Sequence, residues 1–162
     1  MSIGNHLAPV DSSLYIFRLA RPSQDFEKKK KILSVATELD FRLSSEDEKS
    51  VPPHLSAWVE EYTTPLQAYS FLKPDSPRKI IYWLNAGDIR NIYLEINKQK
   101  CQDLLDVLWI NIAESRLGAE GHAGITGLNQ KDKLLRKDLR FKLAEIANKN
   151  VNDISRQLNV EL

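Results

Sequence analysis

The sequence is poor in the residues on which several protein classes depend. Of its 162 residues, one is a cysteine, Cys101, which excludes a disulfide within the chain and a multi-cysteine zinc site. Six glycines and seven prolines are too few for a collagen-like or low-complexity chain. No apolar run approaches the roughly 18 residues that a membrane-spanning helix needs. Three histidines (His6, His54 and His122) set the limit for any histidine-based site.

An excess of charge of one sign is also missing. The 23 Lys and Arg residues nearly balance the 22 Asp and Glu residues, giving a net charge of +1. Proteins whose main role is to coat nucleic acid usually carry a strong basic excess. Residues 1–10 lack the basic and apolar stretches of a secretion signal, so we expect a cytoplasmic protein. The 42% apolar content is that of a globular chain, and the length favours one domain.

The hydrophobic pattern predicts that strands occupy the first two thirds of the chain. Residues 14–20 are apolar, β-branched and aromatic, and residues 54–59 alternate between apolar and polar side chains. Residues 79–84 are nearly all apolar, which predicts a central strand of the sheet. Residues 98–112 combine a helical start with a strand-like end, and residues 122–128 form a small strand among glycines.

Helices are predicted most clearly at two places. Thr64 as N-cap and Pro65 at the first helical position form a good helix start. Residues 132–148 are the strongest helix, with one apolar stripe formed by Leu135, Leu139, Leu143 and Ile146. We therefore expect a flexible arm over 1–13, followed by a single α+β domain over 14–162. This domain would hold a small mixed or antiparallel sheet and a long C-terminal amphipathic helix.

Two histidines are the first candidate site. His54 follows a proline pair and His122 follows Gly121, and each begins a predicted strand, at the rim where a sheet meets solvent. We expect both to face one cleft, with Arg90 as a clamp for an anion. In the alternative interpretation the histidines tie down neighbouring loops, and Arg90 pairs with one of two nearby acids, Asp88 or Glu95.

Sequence motifs of established enzyme classes are missing. The chain has neither a phosphate-binding glycine loop nor a G-x-S-x-G elbow, and its histidines are too far apart in sequence for H-E-x-x-H. The sequence therefore predicts no cofactor and no metal site. It leaves open whether the protein is an enzyme.

A basic segment near the C-terminus is the second candidate site. Residues 131–142 contain six basic and two acidic residues, whereas residues 38–61 contain seven acidic and two basic ones. Such a helix could lie on nucleic-acid phosphates, which is possible but not favoured. It could equally dock an acidic partner or the chain's own acidic segment, or form a solvated face. The four residues proposed for phosphate contact are Lys133, Arg136, Lys137 and Arg140.

Three segments, taken in order, carry a resemblance. They are PHLSAWV with TTPLQA (53–59 and 63–68), IYWL with DIR (81–84 and 88–90), and GHAGITGL (121–128) before the basic helix. Together they resemble the layout HLSVW…TTPxQA…IR…GHAxIxG of a family of small, stand-alone bacterial proteins that is itself uncharacterised. The resemblance implies a bacterial, cytoplasmic protein and implies no particular activity.

The first of these segments also resembles part of the ADP-ribosyltransferase-like folds. In those folds a Ser- or Thr-rich strand helps to hold a nicotinamide dinucleotide. The matching polar positions here are His54, Ser56, Thr63 and Thr64, and Glu114 or Glu120 would supply the catalytic glutamate.

The favoured hypothesis is a protein–protein interaction or accessory module that serves a larger partner. Three Trp, five Tyr and five Phe residues could leave an exposed aromatic anchor for such a partner. A transferase of the kind above is the alternative, and nucleic-acid binding through the basic helix is the second alternative. The oligomeric state stays open.

Overall fold

The structure, a computed structural model, describes residues 7–21, 35–110 and 117–149. Glu114, one of the two glutamates considered for a transferase, lies outside these ranges. The strands and helices, in chain order, are β1 (Tyr15–Ala20), a 3₁₀ turn (Glu38–Phe41), α1 (Ser45–Lys49), β2 (His54–Val59), α2 (Pro65–Tyr69), β3 (Ile80–Asn85), α3 (Ala86–Arg90), β4 (Leu94–Ile96), β5 (Gln99–Cys101), β6 (Asp106–Trp109), a second 3₁₀ turn (Ala119–Gly121), β7 (His122–Thr126) and α4 (Lys133–Lys149).

Five of the strands form one antiparallel sheet in the order β3-β1-β2-β7-β6. Strands β4 and β5 form a separate hairpin. The predicted α+β class, with an antiparallel sheet and a long C-terminal helix, is confirmed. Among the described residues, no helix has the length and the apolar character needed to cross a membrane.

The predicted central position of residues 79–84 is wrong. Among the strands that the structure describes, β3 lies at one end of the sheet order, beside β1. Its side chains from Ile80 to Leu84 are nevertheless buried, because both faces of the sheet are covered there. The apolar content of residues 79–84 thus predicts that both faces of this strand are buried. It does not predict how many strands pair with it.

The predicted helical start in residues 98–112 is also wrong. Residues 94–101 form the β4–β5 hairpin, in which Leu94 pairs with Cys101 and Ile96 with Gln99. The two residues of the turn, Asn97 and Lys98, both have positive φ, at 53° and 64°. A two-residue turn of this kind matches the twist of an antiparallel pair, so it directs the chain into a hairpin.

One face of the sheet, which we call the α4 face, is aliphatic and packs against α4. On α4, Leu139 and Leu143 are fully buried, and Leu135 and Ile146 pack against the same cluster, which confirms the predicted stripe. The strands contribute alternate residues to this face, which include Ile16, Leu55, Val59, Leu84, Val107 and Ile125.

Arg18 is a polar exception to the aliphatic packing. It donates from Nε to the carbonyl oxygen of Asp40 at 2.9 Å and from Nη1 to that of Ser56 at 3.0 Å. Burial, followed by repulsion from Arg78, lowers the pKa of Arg18 to about 10, so the side chain remains charged at neutral pH. The guanidinium thus links β1 to β2 and to the first 3₁₀ turn.

The opposite face, which we call the aromatic face, carries Phe17, Trp58 and Trp83 and is partly covered by α2 through Ala68. The Phe17 and Trp83 rings lie 5.1 Å apart, and Trp58 stacks on Phe71 at 4.9 Å. The alternation of the strands places the remaining polar residues of β2 and β7 on this same face.

The segment that precedes β1 extends the sheet. Pro9 bridges to Leu108, Val10 donates its N–H to the carbonyl oxygen of Val107 at 2.9 Å, and Trp109 donates to that of Ala8 at 2.9 Å. Val10 is fully buried. Residues 8–10 of the predicted arm are therefore paired with β6, because Val10 supplies an apolar side chain to the core.

Candidate functional site

The structure brings His54 and His122 together on the aromatic face. The centroids of their rings are 6.1 Å apart and the ring planes meet at 70°. Both side chains are 8% exposed. The β2–β7 pairing explains the approach, because it places His54 opposite Thr126 and Trp58 opposite His122, with all four side chains on one face. We call these two residues the histidine pair.

Gly124 makes room for the ring of His54. This glycine lies opposite Ser56, between the two histidines, and a Cβ atom at its position would lie 2.7–2.8 Å from atoms of the His54 side chain. Real Cβ atoms do not approach a ring so closely, so any larger residue would displace it. The glycine of the G-H-A-G run is thus required by the packing of a histidine 70 positions earlier in the chain.

The hydrogen bonding of His54 defines which of its nitrogens is free for a ligand. Its Nδ1 lies 2.8 Å from the carbonyl oxygen of Pro52. A carbonyl can only accept, so Nδ1 carries the proton and donates it. In the neutral ring Nε2 therefore holds a lone pair.

His122 is held between Trp58 and Ser56. Its ring centroid lies 4.8 Å from that of Trp58, and its Nε2 lies 3.3 Å from Oγ of Ser56. Its Nδ1 is buried. Two effects lower the pKa of His122 to about 4: first its burial and second the repulsion from His54. The ring is therefore neutral at pH 7.

Ser56 and His122 resemble the first two members of a nucleophilic triad, but they lack the properties that such a triad needs. A catalytic histidine is usually oriented by a carboxylate at Nδ1, and no carboxylate bonds to His122 within the described ranges. A base with a pKa of about 4 also removes a serine proton poorly at neutral pH. Nucleophilic catalysis therefore receives no support from this geometry.

Thr63 and Thr64 have structural roles. The buried hydroxyl of Thr63 donates to the carbonyl oxygen of Gly118, and Gly121 packs directly against it. Thr64 is the N-cap of α2, as predicted from the sequence, and it also forms a capping box with Gln67. In the comparison with ADP-ribosyltransferase-like folds, Thr63 and Thr64 were matched to ligand-binding positions. Here their side chains form hydrogen bonds within the fold instead.

Arg90, which was expected in the same cleft, forms its hydrogen bonds with residues other than the histidine pair. Its Nε bonds to a carboxylate oxygen of Asp106 at 2.8 Å, Nη1 to Oγ of Ser12 at 2.8 Å, and Nη2 to the carbonyl oxygen of Val107 at 2.9 Å. The bonds tie α3 to β6 and to the segment before β1. The expected partners Asp88 and Glu95 are replaced by Asp106, which the fold brings close from 16 positions away.

The basic residues of α4 have two different roles: one forms a largely buried ion pair, and three others line a surface groove. Arg140 pairs with Glu38 at 2.6 Å, and both side chains are largely buried, so this arginine docks the chain's own acidic segment. Lys133, Arg136 and Lys137, together with Arg140, line a groove between α4 and the first 3₁₀ turn, with a volume of about 530 Å³. We call this the basic groove; Leu39, Arg42 and Leu134 also line it.

Sequence reasoning missed a second apolar stripe on α4. Leu134 is 73% exposed and Phe141 is also exposed, and the two lie seven positions apart on one side of the helix. Lys137, between them, places its Nζ 5.8 Å from the centroid of the Phe141 ring. The spacing of seven positions between these two residues is visible in the sequence, but the stronger stripe that faces the sheet obscured it.

No group of three or more His, Cys, Asp or Glu side chains within residues 7–21, 35–110 and 117–149 is arranged to hold a metal ion. Comparison with protein-family models, with curated proteins and with solved structures finds no match to this chain. The function has to be argued from the geometry of these surfaces.

Proposed function

We propose that this chain is a protein-interaction module that binds an acidic, partly apolar segment of a partner protein in the basic groove. The observation that carries the proposal is a pair of leucines at the groove that point into solvent. Leu39 is 63% exposed and Leu134 is 73% exposed. Exposed leucines beside a concave surface are typical of protein-binding sites.

The charge of the groove selects an acidic partner. Five cations line it, against the two carboxylates Glu38 and Glu48. Arg140 is neutralised by Glu38. The remaining four cations, which are Arg42, Lys133, Arg136 and Lys137, therefore exceed the remaining carboxylate and favour a ligand with negative charge.

The apolar residues favour a protein segment over nucleic acid. A surface that binds phosphates needs cations but gains nothing from exposed leucines, which would lie against a charged backbone. A partner with both acidic and apolar side chains would satisfy both parts of this surface. The stripe of Leu134 and Phe141 extends the apolar part along α4, so an extended or helical segment could continue beyond the groove.

The exposed aromatic side chains of the described residues are Phe141 and the tyrosines Tyr15, Tyr62 and Tyr93, whereas none of the three tryptophans is exposed. Trp58 and Trp83 are buried in the aromatic face, and Trp109 is partly buried. Phe141, on the same helix as the groove, is an exposed aromatic residue that could serve this purpose.

The proposal is tested by selecting peptides from a displayed library on the parent protein. The enriched peptides are then tested for binding to the double variant Leu134→Ser, Lys137→Glu. We expect the enriched peptides to combine Asp or Glu with large apolar residues and to lose binding to this variant. A matched control, Leu66→Ser with Lys73→Glu, changes one exposed leucine and one exposed lysine outside the groove and should retain binding.

Other results would assign the groove differently. Peptides that bind parent and double variant equally would overturn the proposal. A duplex-DNA mobility shift that weakens with salt and is unaffected by Leu134→Ser would replace the protein ligand by nucleic acid. Sedimentation of a dimer that the double variant abolishes would show that a second copy of the chain occupies the groove.

A further inference from the structure

The walls of the basic groove restrict the backbone conformation of the segment that binds there. An extended segment is usually held by pairing with the free edge of a strand. The residues that line the groove belong to the first 3₁₀ turn, to α1, to α4 and to the loops beside them, and none of the described ones lies in a strand. The groove therefore offers no sheet edge to an extended ligand.

The backbone groups of these walls are largely used within the fold. Beyond its first turn, α4 bonds its N–H groups internally, and the 3₁₀ turn uses the N–H groups of Thr37, Asp40 and Arg42. An extended ligand would lose the water bound to its own N–H and C=O groups without gaining protein partners for them. A helical ligand satisfies these groups internally, so it enters the groove at a lower cost.

The exposed stripe of α4 has the spacing of a ridge that packs against a second helix. Leu134 and Phe141 are both exposed. Their seven positions correspond to about 10.5 Å along the helix axis. A helix that lies nearly along α4 presents its own apolar residues at i, i+3 or i+4 and i+7 with the same spacing. The aliphatic stem of Lys137 fills the interval, since its Nζ lies 5.8 Å from the centroid of the Phe141 ring.

The groove is formed before any ligand arrives. The side-chain amide of Asn148 accepts a hydrogen bond from the N–H of Ala36 and donates one to its carbonyl oxygen, both at 2.9 Å. Arg140 pairs with Glu38 two residues further on. These contacts hold the segment along α4, and Leu39 follows directly after it. A preformed wall reduces the ordering that binding requires.

The charges on the two sides of the stripe are unequal. Lys133 and Lys137 lie on the groove side of the line that joins Leu134 and Phe141. At about 100° a residue, Asp138 lies on the other side of that line. A ligand helix therefore gains from acidic residues on the flank that faces the groove, whereas acidic residues on the other flank would be repelled by Asp138.

We propose that the basic groove binds an amphipathic helix of a partner protein, which packs lengthwise on α4. One end of its apolar stripe lies between Leu39 and Leu134, and the other end covers Phe141, with acidic residues on the groove-facing flank. This inference rests on the proposed function and adds to it the conformation and the register of the ligand.

The experiment starts from selected peptides of about 16 residues, long enough for four turns of helix. Those used bind the full-length protein and lose binding to the double variant Leu134→Ser, Lys137→Glu. Two alanines inserted in the middle of such a peptide rotate one half of a helix by about 200° against the other. The same insertion preserves the alternation of an extended segment. We expect it to weaken binding by about tenfold or more. Two alanines added at the end of the peptide are the matched control and should leave the affinity unchanged.

The variant Phe141→Ala tests whether the ligand continues along α4. The ring is exposed, so its removal should leave the melting temperature unchanged and weaken peptide binding by about tenfold. Tyr62→Ala is the matched control. It removes an aromatic ring that is exposed to nearly the same degree and does not line the groove, so it should bind the peptides like the parent.

The possible results separate this inference from the proposed function. Groove-dependent peptides that tolerate the central insertion, or that bind Phe141→Ala like the parent, would overturn the helical ligand and leave the proposed function in place. A selection that yields no groove-dependent peptide would overturn the proposed function and the helical ligand with it.

Discussion

The two faces of the five-stranded sheet are built from different residues and teach different lessons. The α4 face is aliphatic and closed by one long helix, whose Leu139 and Leu143 are fully buried. The aromatic face combines tryptophans with two buried histidines and is covered in part by the five-residue helix α2. The first face explains why the chain folds. The second holds polar groups whose burial calls for a purpose beyond stability.

The largest expected effect is on the α4 face. Leu139→Ala removes a fully buried side chain and should lower the free energy of unfolding by about 2–5 kcal/mol, because it leaves a cavity under α4. Leu134→Ala is the matched control on the same helix, and it should change stability by less than about 0.5 kcal/mol. Urea denaturation of both variants measures the difference. Equal effects would contradict the assignment of the two stripes.

Acid should act on the aromatic face. His122 has a pKa of about 4 in the folded protein and about 6.5 when unfolded, so the unfolded chain takes up the proton first. The corresponding stability is present above pH 6.5 and is lost as the pH falls towards 4, by up to about 3 kcal/mol.

Urea denaturation at several pH values, with a chelator present, tests this for the parent and for His122→Gln. The difference in unfolding free energy between the two proteins isolates the histidine from the carboxylates that also titrate. Between pH 6.5 and pH 4, the unfolding free energy of the parent should fall relative to that of His122→Gln. A constant difference would show that His122 is not buried as described.

A smaller effect is expected from filling the space under the ring of His54. Gly124→Ala should cost about 1–3 kcal/mol, because its Cβ meets that ring. In a His54→Ala background the same change should be nearly neutral. A double-mutant cycle, measured by thermal or urea unfolding, gives the coupling between the two positions. Additive effects would mean that the glycine serves another purpose.

The smallest effect concerns the helix that covers the aromatic face. Thr64→Ala removes the N-cap of α2 and should cost about 1 kcal/mol. Ser44→Ala removes the equivalent cap of α1, which buries no residue, and should cost less. Thermal denaturation compares the two. A larger loss for Ser44→Ala would indicate that α2 does little to hold the aromatic face.

Features that depend on neighbouring residues in the chain were predicted well from the sequence, whereas the pairing of distant strands was not. The bounds of β2, the capping of α2 by Thr64 and the buried stripe of α4 all follow from patterns within a few residues. The position of β3 at the end of the sheet does not, because hydrogen-bond neighbours leave no mark on apolar content.

The candidate site shows the same limit. The approach of His54 to His122 was expected from their places at strand starts, but only the antiparallel register of β2 and β7 produces it. Arg90 was expected beside them, and it bonds to Asp106 because α3 packs against β6. The role of Gly124 depends on a ring from another strand, which a reading along the chain cannot supply.

The place of β7 in the strand order has a consequence for synthesis on the ribosome. Strands β1, β2 and β3 can pair once about half the chain has been made, but β2 and β6 both wait for residues 122–126 to complete their hydrogen bonds. Until then the nascent sheet presents the open edge of β2, which is a template for unwanted association. Closure by pairings this distant in sequence is slow. A stall during translation before β7 has emerged from the ribosome should therefore leave this edge open and favour aggregation.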